Sequence, residues 1–274
     1  MGLTGAILGD IAGSRVEFSK EQFLNTFDGY ELFQKGCRFT DDTVLSLATA
    51  FALIEHEELE DYQLVDIFGV SYQIFGNRYP NAGYGGMFRE WLHDPRRKPY
   101  NSFGNGSAMR ASYIGEYAQT MSQLETMAKR SAMCTHSHPE GVKGAFAAAF
   151  GVFLGEWQAC ATQHDLVKEV CDTVGYAFPD KSLEELRPTC RYDVTCQGSI
   201  PLALRCFLES TSYESCIRNV LSMRCDRDTI ACISGGIAES FYGSTGLDND
   251  ALLKSYFPNQ LYHIWKDAMR RVNK

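Results

Sequence analysis

The chain has 274 residues, 45% of them hydrophobic and 22% charged, and a formal net charge of -8. That length fits one or two domains with a sizeable buried core. The acidic balance excludes a general nucleic-acid binder, which needs a basic face for the phosphates, but it permits an anionic small ligand, because a bound metal ion reverses the field locally. No apolar run reaches the ~20 residues of a membrane span. The ten cysteines show no CxxC spacing or paired framework, and no basic region precedes an apolar core at the start of the chain. The thiols therefore read as reduced and the chain as cytoplasmic.

Residues 3 to 18 read as a helix. Gly5, Gly9 and Gly13 recur every four residues, so they share a face and let a second helix approach closely. Asp10 and Glu17, seven apart, share a face too. Taken alone, Asp10 reads as a buried polar group satisfied by backbone, and Glu17 as a solvated residue at the helix end. Residues 19 to 39 have no clean period and are expected to form a loop over the site. Phe39-Thr40-Asp41-Asp42-Thr43 then heads the apolar run Val44 to Ile54, predicted as helix 43 to 55. Asp and Thr suit an N-cap because their oxygens accept from the free N–H groups of the first turn. Two adjacent carboxylates exceed what capping needs, and they repel each other unless a cation or proton intervenes.

The acidic run Glu55 to Asp61 reads as a solvated turn, and residues 62 to 75 as a helix. Residues 76 to 107 form the longest irregular region. It holds Tyr79 to Gly86, a short helix near Met87 to Leu92, and the basic turn Arg96-Arg97-Lys98-Pro99. Long loops in a compact domain are usually functional. Gly104-Asn105-Gly106-Ser107 is either a simple turn or a set of backbone N–H donors for a phosphate, most simply at the start of the helix that follows.

Ser122 to Cys134 is predicted helical. Thr135-His136-Ser137-His138-Pro139 breaks it, with Pro139 suited to the first position of the next helix. In that setting His138 reads as a cap, not a zinc ligand. Gly141 to Gly155 is small and apolar, as an internal helix should be. Residues 160 to 190 read as helical pieces, and residues 193 to 208 and 213 to 223 as two more helices. Asp226-Arg227-Asp228-Thr229 opens the apolar run Ile230 to Ala238, repeating the arrangement at Thr40 to Thr43. A last helix runs from Gln260 to Val272. No stretch alternates with period two and no linker divides the chain, so it reads as a single all-α domain over residues 1 to 274. If the two helix starts converge, Thr40, Asp41, Asp42, Asp226, Asp228 and Thr229 meet. Such an all-oxygen set suits hard divalent ions, Mg²⁺ or Mn²⁺.

These motifs, in this order, resemble those of the ADP-ribosylglycohydrolase family, which includes the dinitrogenase-reductase-activating glycohydrolases. The resemblance runs nearly end to end. It rests on Gly9-Asp10-Ile11-Ala12-Gly13 with Glu17, Thr40-Asp41-Asp42-Thr43, Gly104-Asn105-Gly106-Ser107-Ala108-Met109-Arg110, Thr135-His136, and Asp226-x-Asp228-Thr229-Ile230-Ala231. One departure is the last motif. The family usually reads Gly-Gly-Asp-Ser/Thr-Asp-Thr there, whereas this chain has Arg224-Cys225-Asp226-Arg227-Asp228-Thr229.

The resemblance implies a compact multi-helix domain that hydrolyses the glycosidic bond between ADP-ribose and an acceptor, either a protein side chain or a small molecule. It implies two Mg²⁺ ions, with Mn²⁺ as the alternative, at Thr40, Asp41, Asp42, Asp226, Asp228 and Thr229. Such a reaction passes through an oxocarbenium-like state and needs a carboxylate that activates water. Asp41 or Asp42 is the expected base, with Glu17 as the rival. The diphosphate is expected on Gly104, Asn105, Gly106 and Ser107, with Met109 and His136 as further ligand contacts. Tyr84 and Gly85 are expected to shape the leaving-group side. Two other readings stand beside this one: a non-catalytic, crystallin-like homologue that binds ADP-ribose or is structural, and metal-dependent phosphoester hydrolysis. All seven expected positions are filled, counting Glu17 with the six oxygen ligands, which favours the enzyme. Arg227, between two expected ligands, should project away from them to the rim. A monomer acting on ADP-ribosylated partners, with no membrane contact, is expected.

Overall fold

Three glycines decide how the chain folds on itself. In the computed structural model, which describes residues 1–19, 31–56 and 63–272, the first helix α1 (Leu3–Ser14) is buried along its whole length. It runs antiparallel to a later helix, Arg227–Tyr242. A Cβ added to Gly5 would lie 2.4 Å from the Gly235 carbonyl oxygen, one on Gly9 2.1 Å from the Ala231 oxygen, and one on Gly13 2.5 Å from Asp228 Cα. The two backbones therefore touch, and any side chain at these positions would force them apart. The four-residue spacing expected to admit a close neighbour does so.

Between these two helices the chain forms α2 (Asp41–Glu55), α3 (Leu64–Arg78), α4 (Gly86–Trp91), a 3-10 turn (Asn105–Ser107), α5 (Ser112–Tyr117), α6 (Met121–Met133), α7 (Pro139–Glu156), α8 (Gln163–Val174), α9 (Leu183–Leu186), α10 (Cys196–Leu208) and α11 (Tyr213–Leu221). The glycine-packed partner of α1 is thus α12, and α13 (Asn249–Tyr256) and α14 (Asn259–Val272) follow it. The described residues contain no strand, so the all-α expectation holds. α7 begins as its sequence suggests: Pro139 opens it, and the His138 ring accepts from Glu140 N at 3.1 Å as its cap. α7 packs on α12 through small residues, with Gly151 facing Ile237 and Gly155 facing Ser240. The ten cysteines are free thiols.

The open N–H groups at the head of α1 meet buried acids instead of water. Glu116 Oε2 accepts from Gly2 N at 3.0 Å and Leu3 N at 2.9 Å, and Glu239 Oε2 accepts from Gly5 N at 2.6 Å. This satisfies donors that a helix cannot satisfy itself.

Several boundaries differ from the expectation. α1 stops at Ser14, not at residue 18, so Glu17 sits in the turn beyond it, where Val16 N bonds to Gly13 O at 2.9 Å. The short helix α13 is not among the expected elements, being too brief to show a clear period, and the helix expected after Ser107 begins only at Ser112, as α5. Of the expected loop 19 to 39, residues 20–30 lie outside the described residues, and so do residues 57–61 of the expected acidic turn. Among the described residues no helix is long and apolar enough to cross a membrane.

Candidate active site

The head of α2 is capped from another helix. Thr40 stands at the N-cap position, yet its side chain makes no capping bond. Asp10 of α1 reaches across instead. Its carboxylate accepts from Thr40 N at 2.8 Å, Thr40 Oγ1 at 2.6 Å and Thr43 N at 3.1 Å, and also from the Thr43 hydroxyl. Asp10 thus does the work that Asp41 and Asp42 could have done, and it leaves their oxygens for something else. Asp42 Oδ2 accepts from Thr40 Oγ1 at 3.2 Å and from Thr229 Oγ1 at 3.3 Å. Its Oδ1 is buried with no partner. A buried carboxylate oxygen left unpaired is costly.

The head of α12 arrives at the same place because Gly13 packs against Asp228. Asp228 accepts from Thr229 N at 3.0 Å. Asp226 is held by two donors from elsewhere, Asn105 Nδ2 at 2.8 Å and the Tyr192 hydroxyl at 3.2 Å. Two overlapping groups result. Asp10, Asp42 and Asp228 each place an oxygen within 4.8 Å of the others, and so do Glu17, Asp226 and Asp228. In the ion-free protein this crowding suppresses ionisation. Burial first, then neighbouring acids, raises Asp228 and Asp42 well above the usual carboxylate range. Burial and Asp10 lift Asp41 to about 8. Burial and Asp226 lift half-buried Glu17 to about 7. Carboxylates this close need protons or cations between them.

The donor set is all oxygen, and it includes one buried orphan, Asp42 Oδ1. That chemistry fits hard divalent cations and disfavours soft ones. Asp41, Asp42, Asp226, Asp228, Glu17 and Thr229 are the groups on the cleft able to hold them.

These groups form one wall of a cleft of about 270 Å³. Asp41 is on the same wall, turned toward Gly83, where a Cβ would lie 3.0 Å from its Oδ1. Gly85 lines a second side, and Gly104, Asn105, Gly106, Met109 and His136 line a third. The expected contacts are not all there. Thr40 stands behind the wall, bonded to Asp10 and Asp42. Tyr84 is buried beneath it, its ring 5.2 Å from that of Phe88. The Ser107 hydroxyl points away and donates to Gly141 O at 2.7 Å. Residues 105–107 form a 3-10 turn rather than the start of a long helix. Two of the turn's backbone donors are already used, Gly104 N by Ser102 Oγ at 3.1 Å and Asn105 N by Val194 O at 2.7 Å.

Arg227 is also corrected. It does not project to the rim but is fully buried. Its Nε donates to Met223 O at 2.8 Å, and its Nη1 donates to Val16 O at 2.8 Å and Ser19 O at 3.0 Å. The guanidinium binds the carbonyls beyond α1 and so fixes the turn that carries Glu17. It occupies no place among the acids. The residue that the family usually keeps small serves here as a clamp.

Tyr192, Tyr100 and Arg110 line the cleft as well, and sequence reasoning did not single them out as site residues. Arg110 closes the motif that begins at Gly104 and Tyr100 lies just before it, whereas Tyr192 lies near none of the motifs. A larger hollow of about 530 Å³, walled by Phe178, Leu186, Leu202 and Cys225 among others, contains none of the clustered acids, so the chemistry belongs to the smaller cleft.

Fold and site together define an α-helical protein built around an all-oxygen acidic cluster beside a glycine-rich turn. The sequence profile of the ADP-ribosylglycohydrolase family matches residues 1–272, and the chain belongs to that family. It is 25% identical over 305 residues to ADP-ribosylhydrolase ARH3 of Homo sapiens, covering 88% of this chain and 84% of the relative. It is 24% identical over 309 residues to the Mus musculus ARH3, covering 88% and 82%. Among solved structures, an ADP-ribosylglycohydrolase-related protein complex superposes with a TM-score of 0.70 at 18% identity, covering 98% of this chain and 97% of that one. This last likeness speaks for the fold.

Proposed function

We propose that the chain is a divalent-metal-dependent hydrolase that cleaves the glycosidic bond between ADP-ribose and an acceptor and releases free ADP-ribose. The observation that carries this reading is the convergence of the α2 and α12 heads around a buried, unpartnered Asp42 oxygen. Carboxylates brought this close need cations or protons between them. Asp41, Asp42, Asp226, Asp228 and Thr229 would hold two Mg²⁺ or Mn²⁺ ions, with Thr40 supporting them from behind. Bound ions would hold the ribose hydroxyls and acidify water.

The chain's own groups supply the rest. Asn105 and Tyr192 fix the rotamer of Asp226. Glu17, on a turn and not within a helix, is the carboxylate best placed to take a proton from the attacking water, with Asp41 beside it on the same wall. The C–O bond to water forms at the anomeric carbon as the bond to the acceptor breaks. The acceptor leaves with that electron pair and is protonated, and the base receives the water's proton. Gly104 and Gly106 let the diphosphate lie close to backbone, and Gly85 leaves the leaving-group side open.

Incubation with Mg²⁺ and a panel of ADP-ribosylated substrates tests the proposal: arginine-, serine- and nucleic-acid-linked conjugates and O-acetyl-ADP-ribose. Free ADP-ribose is expected. AMP or ribose phosphate would show phosphoester hydrolysis instead, and tight ADP-ribose binding without any product would show a non-catalytic homologue.

A further inference from the structure

The lining of the cleft includes a buried cation. Arg110 is fully buried, with its Cζ 4.1 Å over the Tyr72 ring. Its Nη2 donates to Ser131 O at 2.7 Å and to Thr135 Oγ1 at 2.8 Å. Thr135 Oγ1 in turn stands 2.7 Å from His136 Nδ1. An oxygen that accepts from a guanidinium is polarised. Its own O–H becomes a better donor, and its remaining lone pair a poorer acceptor. The proton between Thr135 and His136 then belongs to the hydroxyl, Nδ1 accepts it, and the imidazole's own proton sits on Nε2.

Nε2 faces the glycine-rich turn. A Cβ on Gly106 would lie 3.2 Å from it, and one on Gly104 3.7 Å. We propose that Arg110 and Thr135 are positioning residues that lock His136 as a neutral Nε2–H donor, aimed at an anionic oxygen of the ligand lying over Gly104 and Gly106. On the proposed function, on which this inference rests, that oxygen belongs to the diphosphate. Burial and the adjacent guanidinium hold His136 well below the usual histidine range, so the ring stays neutral and its tautomer persists across neutral pH.

The tautomer can be read without any ligand. Long-range ¹H–¹⁵N spectra of ¹⁵N-labelled protein separate the two ring nitrogens of each of the six histidines, and His136→Gln assigns the signal. We expect Nε2 protonated and Nδ1 bare from pH 8 to pH 6. Thr135→Val removes the hydroxyl. It should mix the tautomers and weaken ADP-ribose binding by about tenfold in calorimetry, the scale of one hydrogen bond to a charged group. Thr135→Ser should restore both. A wild-type Nδ1–H tautomer would overturn the proposal, and so would a Thr135→Val protein that keeps Nε2–H and full ADP-ribose affinity. If Thr135→Val does not fold, the wild-type and Thr135→Ser spectra still decide the relay. A wild type with the Nε2–H tautomer and no affinity for ADP-ribose would overturn the proposed function and the ligand half of this inference, while supporting the relay.

Discussion

Gly9 and Ala231 are in backbone contact: a single added methyl on Gly9 would lie 2.1 Å from the Ala231 carbonyl oxygen. The obstacle is backbone, which cannot swing aside as a side-chain tip can. Gly9→Ala should therefore cost about 3 kcal/mol or more, lowering Tm by roughly 5–10 °C for a chain of this size. It should also weaken metal binding, because α1 and α12 carry the acids of the cluster. Gly85→Ala is the control, since nothing lies within 4 Å of its added Cβ. An unchanged Tm for Gly9→Ala in thermal melts would show that the two helices are free to separate.

Asp228 belongs to both acid groups, so Asp228→Asn should have opposite effects with and without metal. In chelator it replaces one of several crowded acids by a neutral amide, and at pH 8 the variant should melt no lower than wild type. With millimolar Mg²⁺ the wild type should gain stability in proportion to ln(1 + [Mg²⁺]/Kd), and the variant should not. Equal Mg²⁺-induced shifts in the two proteins would remove Asp228 from the ligand set.

The acids also set a pH dependence in the metal-free protein. Asp41 is raised to about 8 and Glu17 to about 7, so the folded chain holds protons that the unfolded chain releases near pH 4. Stability from these groups is complete below about pH 4 and is lost as pH rises through 7 and 8. Glu239, lifted to about 8 by burial and Glu116, adds the same sign. In chelator, Tm should fall between pH 5.5 and 8.5, and Glu17→Gln should flatten the slope. A Tm that climbs with pH over this window would contradict the assignment. Metal binding must displace these protons, so Mg²⁺ affinity should rise over the same range.

Glu17→Gln keeps the shape of the side chain but cannot accept a proton. Turnover should drop by at least about 100-fold, the usual contribution of a general base, while ADP-ribose affinity changes by only a few-fold. Near-wild-type turnover would pass the role of base to Asp41.

Arg227→Ser would restore the residue type usual in the family, but here it should be harmful. It removes donors from the carbonyls of Met223, Val16 and Ser19, at about 3 kcal/mol for hydrogen bonds to a buried charged group. The loosened turn carries Glu17, so Tm and turnover should fall together. A change in KM alone, with Tm intact, would return Arg227 to the rim where its sequence position first suggested it.

The backbone of this organisation was legible in residue spacing. Gly5, Gly9 and Gly13 announced a close helix pair, and two Asp/Thr clusters at helix heads announced where acids would meet. Helical periods gave the fold class. The details that were not legible depend on which way one side chain turns after long-range contacts form. Asp10 read as a group satisfied by backbone, and it is so in half, with the Thr40 and Thr43 hydroxyls supplying the rest; that it caps a different helix and leaves Asp42 Oδ1 unpaired needs α1 and α2 in place. Asn105 looked like part of a phosphate turn, but its amide holds Asp226. Tyr84 and Ser107, adjacent to cleft-lining glycines, face the core because each neighbour along the chain points a different way. Arg227 was expected outside on helix geometry alone, before the carbonyls beyond α1 were known to be within its reach.

The glycine seam between α1 and α12 has a consequence in time. About 210 residues separate the end of one helix from the start of the other. At the 5–20 residues per second of translation, the first helix must wait on the order of ten to forty seconds for its partner to leave the ribosome. Through that interval a mostly apolar segment, with bare peptide surface where side chains would otherwise shield it, lacks the helix that covers its glycine face, even once α2 and α5 lie against its other sides. The glycines that make the finished molecule tight are thus a liability during synthesis, and chains stopped before α12 should be held by chaperones or cleared instead of accumulating as partial enzymes.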